Sequence, residues 1–267
     1  GDALRRQPPY LHDHPGVSRS LFYAYMNAGK RGITLDLATR DGHNLFERLA
    51  ATADAIVYSG SAAGYDILAL DELRARYPRL VITAVTPFGL TGPYRDWAGN
   101  DLIGWATGGA AYTLGDPDRP PVIPAPEARL GNILASLFAA GGTLVALLGM
   151  VRFGHGDRVD VSLQESALMA TVEAGVTAFL DDLIPRVRAG SKRPLSAPMG
   201  HYPTTDGFAS VLALMPWHWD ALSVWVHEVT GDDTILDPAF KGGPQARSGG
   251  VWTAVDYLTT EFTRQLS

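Results

Sequence analysis

Apolar and polar positions along this chain repeat at two periods, and the switches between them lay out its elements. Ile33, Leu35 and Leu37 alternate with Thr34 and Asp36, a period of two that predicts a half-buried strand. Thr39 or Asp41 then caps a helix whose apolar face is Leu45, Phe46, Leu49 and Ala50. Ala55-Ile56-Val57-Tyr58 predicts a second strand, with a loop over 59–64 at its C-terminal end. Leu70, Leu73 and Tyr77 predict a short helix that stops at Pro78, and Leu80 to Val85 a third strand ending in Thr86-Pro87-Phe88-Gly89. Strand, helix, strand, helix, strand at this spacing predicts a parallel sheet with helices on its faces. Ligands of such sheets sit beyond the C-terminal strand ends, which singles out the loops 59–64 and 86–94.

The pattern changes again further on. Asn100 to Tyr112 predicts a short helix broken at Gly108-Gly109. Ile133 to Val151 carries no charge, and Ala135, Ala139, Gly142, Ala146 and Gly149 recur on one side at steps of four and three. Its length borders on what a bilayer needs. Strand-type segments on both sides instead predict a buried core helix that another backbone approaches closely. Gly154-His155-Gly156-Asp157 predicts a turn, Val159, Val161 and Leu163 a strand, and Gln164 to Arg188 a second long helix interrupted near Pro185. After Ala189 the composition shifts: an Asp206-Gly207 hairpin turn, a strand over Ala209–Leu214, a helix from Trp217 to Val229 with Leu222, Trp225 and Val226 inward, a mobile Gly-rich segment over Lys241–Gly250, and a last helix. The expected organisation is a large α/β domain over residues 1–189 and a smaller α+β domain over 190–267.

Composition narrows the chemistry. At 267 residues, 46% hydrophobic and 19% charged, with a net charge of −6, the chain reads as globular and cytoplasmic, with neither a nucleic-acid surface nor a membrane role. Zero Cys excludes disulfides, thiolate metal sites and a Cys nucleophile. The first residues are polar and turn-like rather than a signal peptide. His12, His14, His155 and His218 lack the spacing of a metal site, and no metal is expected. No GxGxxG, GxSxG, HExxH or P-loop occurs. Lys30-Arg31 ahead of a predicted strand reads either as a solvated edge or as a phosphate contact.

Several motifs together carry a family resemblance. Asn27-Ala28-Gly29-Lys30-Arg31-Gly32-Ile33-Thr34-Leu35-Asp36-Leu37 resembles the "N-x-x-KR-S-I-x-LDL" segment of the family III CoA-transferases, a superfamily that includes carnitine-CoA and formyl-CoA transferases and α-methylacyl-CoA racemases. Phe88-Gly89-Leu90-Thr91-Gly92-Pro93-Tyr94 is similar to its "FG-x-x-GPY" loop, and Gly154 to Leu163 to its "TGRGQ-x-VDVSL". Thr205-Asp206-Gly207 and Asp237-Pro238-Ala239-Phe240 resemble markers of its small domain. Gly1 to Arg6 resembles its "GGD-x-x-R", which normally follows a first strand and helix, and a return segment normally follows the small domain; both are expected to be missing here.

The resemblance implies a Rossmann-like large domain, an interlocked homodimer, and acyl-CoA and a carboxylic acid as substrates, with no permanently bound cofactor. It also implies a reaction through an Asp, whose carboxylate attacks the thioester and then carries CoA as an aspartyl thioester before the acceptor carboxylate takes over. Counting back from Gly154 and Gly156 places that Asp at Asn132. An amide nitrogen is delocalised into its carbonyl and is no nucleophile, so Asn132 is read as the N-cap of its helix or as a hydrogen-bonding group for ligand. Lys30, Arg31, Ser59, Gly60, Phe88 and Gly89 are the implied CoA contacts. The racemase branch's His and Asp correspond to Asn100 and to Asn132 or Gly131, so both of its proton shuttles are missing. Glu127 would replace the lost carboxylate only with a re-registered loop. The expected function is CoA transfer. The alternatives are a catalytically silent member or half-assembly, and a lyase, hydratase or isomerase on the same scaffold.

Overall fold

The structure is a computed structural model that describes residues 2–124, 128–170, 188, 190, 197–242, 244–247 and 250–266. Its chain forms two compact units, residues 1–56 and 57–267. The boundary expected at 189/190 falls in a stretch of which only 188 and 190 are described.

In the first unit, Ser20 caps helix α1 (Leu21–Met26) by accepting from the Tyr23 amide, and Thr39 caps α2 (Arg40–Ala50) through the Gly42 amide. Two expectations change here. Residues 33–37 form neither strand nor helix, and Ile33 is 67% exposed. Alternation alone supplies two faces, but a strand also needs a partner for its backbone groups, and none of the described residues pairs with this segment. In α2, Gly42 and Ala50 are buried, whereas Leu45 and Leu49 of the predicted apolar face are exposed.

Strand β1 (Ala55–Ser59) opens a three-stranded sheet of order β1-β2-β3 with β2 (Val81–Thr86) and β3 (Arg158–Ser162). β2 and β3 are parallel, in register from Ile82 opposite Arg158 to Thr86 opposite Ser162. The α/β class with a parallel sheet therefore stands. The second half of the loop expected over 59–64 is helix. The Ser61 hydroxyl accepts from the Gly64 amide and starts α3 (Ala62–Ile67), so a residue read as loop is in fact an N-cap. α4 (Leu70–Arg76) follows, burying Leu70 and Leu73 as predicted. Next come α5 (Asp101–Thr107) and α6 (Ala110–Thr113), separated at Gly108-Gly109 as the sequence indicates.

The central element is α7 (Leu130–Phe153). Its small-residue stripe packs on β2 and β3: Ala135 and Ala139 are buried, and a Cβ on Gly142 would stand 2.7 Å from Val159 Cγ1. Thr143 and Thr83 share a hydrogen bond of 2.6 Å that ties the helix to the sheet. At its end the stripe runs to Met150 rather than to Gly149, which has open space around it. α7 is also not buried all round. Leu137, Leu144, Val145, Leu148 and Val151 are exposed, because the described residues cover only the sheet-facing side. By length and composition alone this helix would suffice to cross a membrane. α8 (Leu163–Met169) then packs against α5 and α7, and the rest of the long helix expected to Arg188 lies outside the described residues.

The C-terminal part is α+β in content. Antiparallel β4 (Met199–Pro203) and β5 (Phe208–Leu212) form the hairpin expected around Asp206-Gly207, and α9 (Pro216–Thr230) and α10 (Gly250–Thr263) pack with them around Trp219, Val226, Val255 and Phe262. Trp225, expected inward, is half exposed but stacks edge-on against Phe262, and the anchor is Trp219. Within the Gly-rich 241–250 segment, expected to be mobile, Arg247 is fully buried. Its guanidinium donates to the carbonyls of Ala197, Phe240, Gly242 and Ala213, and it lies over the Trp219 ring. Four carbonyl acceptors offset the desolvation of the charge.

Two outcomes follow. In Gly156→Ala the new Cβ would sit 2.3 Å from the Leu80 carbonyl oxygen, a backbone group that cannot yield. Urea denaturation should show a loss of about 1–3 kcal/mol. Tyr65 is buried and donates to Asp71 Oδ1 at 3.0 Å. Burial first, and then the Asp71 carboxylate, push its phenol up from 10.0 to about 12. A raised folded-state value means that its stabilisation is complete below pH 10 and is lost as pH rises from 10 to 12. Melting scans of Tyr65→Phe should accordingly fall less steeply over that window than those of the unmutated protein.

Candidate functional site

Asn132 lies inside the first turn of α7, not at its cap. The helix starts at Leu130, and the cap position belongs to Arg129, whose φ of 46° is in the left-handed region that residues with a Cβ seldom adopt. No side chain of Arg129 caps the helix. The cap comes instead from another element: Asp101, first residue of α5, accepts from the Asn132 amide through Oδ1 at 2.6 Å. A carboxylate here is favoured by the free amides and the positive dipole end of α7. Asp101 escaped the sequence reading, because nothing in local spacing signals a cap supplied from 31 residues away.

The two helix starts enclose a cavity of about 360 Å³ lined by Asn100, Asp101, Leu102, Trp105, Ile123, Pro124, Arg129 and Asn132. Asn100 Oδ1 caps α5 by accepting from the Ile103 amide, which anchors this wall. Trp105 is 7% exposed, and its buried indole Nε1 has no acceptor among the described residues. The polar side chains that line the cavity are thus a carboxylate, two carboxamides and a guanidinium, a set suited to binding an ester, thioester or carboxylate group.

The other predicted site residues are arranged differently. Lys30 donates to the Met26 carbonyl at 2.8 Å and to Asn27 Oδ1 at 3.3 Å, and Arg31 is exposed; both belong to the first unit. Ser59 and Gly60 end β1, and the Gly60 amide donates to Val85 across the sheet. Phe88 is buried against Tyr94 and Trp97, and Gly89 takes a φ of 87°, turning the chain so that the Leu90 amide reaches Asp160 Oδ2 at 2.9 Å. None of these four lines the Asn132 cavity. Glu127 lies outside the described residues, and among those described no group of acidic and His side chains is placed to hold a metal ion.

A profile described as CoA-transferase family III matches residues 1–263. The chain belongs to that family. Among curated relatives, it is 38% identical over 243 residues to succinyl-CoA:(R)-benzylsuccinate CoA-transferase subunit BbsE of Thauera aromatica, an alignment covering 90% of this chain and 58% of that protein. It is 37% identical over 223 residues to succinyl-CoA–D-citramalate CoA-transferase of Chloroflexus aurantiacus, covering 77% and 53%. The chain thus spans little more than half the length of these relatives. A solved CAIB/BAIF family protein from Brucella suis superposes with a TM-score of 0.74 at 27% identity, covering 100% of this chain and 69% of that one.

Close packing of the two helix starts yields a prediction. A Cβ on Gly131 would stand 3.2 Å from Asp101 Oδ1 and 3.3 Å from the Asp101 carbonyl oxygen. Gly131→Ala should push α5 from α7 and lower stability by about 1 kcal/mol, read as a shifted urea midpoint.

Proposed function

We propose that this chain carries the acyl-CoA-handling core of a CoA-transferase, moving CoA between an acyl-CoA and a carboxylic acid. The observation that carries this reading is the cavity at the start of α7, where Asn132 occupies the position implied for the family's catalytic Asp. Relatives named for succinyl-CoA donors support a short dicarboxylic acyl group as the substrate class. Lys30 and Arg31 serve as phosphate contacts in this reading, with Ser59, Gly60, Phe88 and Gly89 as further CoA contacts. It places the protein in the cytoplasm, working as a homodimer.

A second reading is favoured by Asn132 itself. An amide forms no anhydride, and relatives of this chain include proteins named as alpha and beta subunits. In that reading the chain is the non-catalytic half of a two-subunit transferase.

Isotope exchange between succinyl-CoA and labelled succinate separates the two readings, alongside calorimetric titration with CoA. The transfer reading expects CoA binding and exchange by the unmutated protein. Binding without exchange, together with an adduct on residue 132 gained in Asn132→Asp, would establish the silent reading. Absence of CoA binding would remove the transfer reading.

A further inference from the structure

We infer that Asp160 and Arg95 are positioning residues for CoA binding: they grip Leu90 from two sides and hold the loop over 88–94 in the shape that ligand meets. The inference rests on the transfer reading, in which Phe88 and Gly89 of that loop contact CoA. The Leu90 amide donates to both oxygens of Asp160, at 2.9 Å to Oδ2 and 3.2 Å to Oδ1. On the other side, Arg95 Nε donates to the Leu90 carbonyl at 2.7 Å. Both backbone polar groups of Leu90 are thus taken by charged side chains, in hydrogen bonds of the stronger kind. The Leu90 side chain is buried as well, and Gly89, at a φ of 87°, turns the chain around the Asp160 carboxylate.

Neither grip is what local structure asks for. Asp160 stands in the middle of β3, where aspartate is disfavoured. Val159 and Val161 pack toward α7, so alternation sends Asp160 to the opposite sheet face, where it meets the loop that leaves β2 after Thr86. The Arg95 guanidinium also donates to Asp96 Oδ1 at 2.9 Å and pairs with Asp66 of α3. It therefore ties the loop after β2 to the helix after β1. With two carboxylates beside it, Arg95 acts as a brace rather than as a cation held ready for phosphate.

The loop held in this way presents an aromatic surface. Phe88 is buried, whereas Tyr94 and Trp97 stay 43% and 59% exposed, with ring centroids 4.5 Å apart and both rings edge-on to Phe88. Ligands of parallel sheets sit beyond the C-terminal strand ends, and this loop leaves such an end. A loop that is ordered beforehand loses little conformational entropy on binding, which is how residues that need not touch a ligand raise its affinity.

Asp160→Ala removes one grip and Arg95→Ala the other, while Asp160→Asn keeps an acceptor oxygen and serves as the rescue. Each protein is followed by hydrogen–deuterium exchange mass spectrometry and by calorimetric titration with CoA. Both alanine variants should speed exchange in peptides spanning 88–94 by about tenfold, with the melting temperature and the peptides of β2, β3 and α7 unchanged. CoA affinity should fall by about tenfold in both. In Asp160→Asn it should recover to within about threefold of the unmutated protein. In the unmutated protein, CoA should slow exchange of the same loop peptides. Unaltered loop exchange in the alanine variants, unaltered CoA affinity despite faster loop exchange, faster exchange throughout the chain, or a loop that bound CoA leaves unprotected would each overturn the inference. Failure of the unmutated protein to bind CoA would instead overturn the transfer reading beneath it, and the inference with it.

Discussion

The approach of α7 to the parallel sheet is the constraint on which the rest of the structure depends. A Cβ at position 142 would collide with Val159, and Ala135 and Ala139 are buried in one cluster with Val161 of β3. Contact this close lets the Thr143 and Thr83 hydroxyls meet, so that two polar groups between helix and sheet satisfy each other. With the helix axis held there, its first turn comes to rest beside the first turn of α5. Gly104 and Gly108 play the same part on α5, where added Cβ atoms would meet Leu163 at 2.9 Å and the Gln164 carbonyl at 2.5 Å. Three helices thus converge on one place through missing side chains.

Polar chemistry gathers where those small residues bring the helix starts together. Two carboxamides, a carboxylate and a guanidinium share one cavity with the Trp105 indole. Arg129 holds a left-handed backbone conformation at its edge, a strain of the kind that concentrates at functional sites. The carboxylate at the start of α7 comes from a neighbouring helix rather than from α7 itself.

Much of this was legible in the sequence, and the failures have physical causes. β1, β2 and β3, the split of α5 from α6, the extent of α7 and the β4–β5 hairpin all follow from periodicity and turn chemistry. The strand read from Ile33 to Leu37 failed because alternation says nothing about whether a partner is at hand. Reading 59–64 as loop missed Ser61 because serine serves equally in turns and at helix N-caps. Exposure of Leu137, Leu144 and Leu148 could not be read from an apolar pattern, since apolarity marks what a surface can pack against and not whether something covers it.

The sequence by itself determined the family and the α/β class, because each rests on residue identity and local spacing. Only the tertiary structure decided that Arg129 rather than Asn132 stands at the cap of α7, and that Asp101 bonds the Asn132 amide. It also decided that Trp105 of α5 lines the same cavity. The physical reason is distance along the chain. Hydrogen bonds between residues 31 apart depend on how two helices pack, and no local pattern encodes that packing.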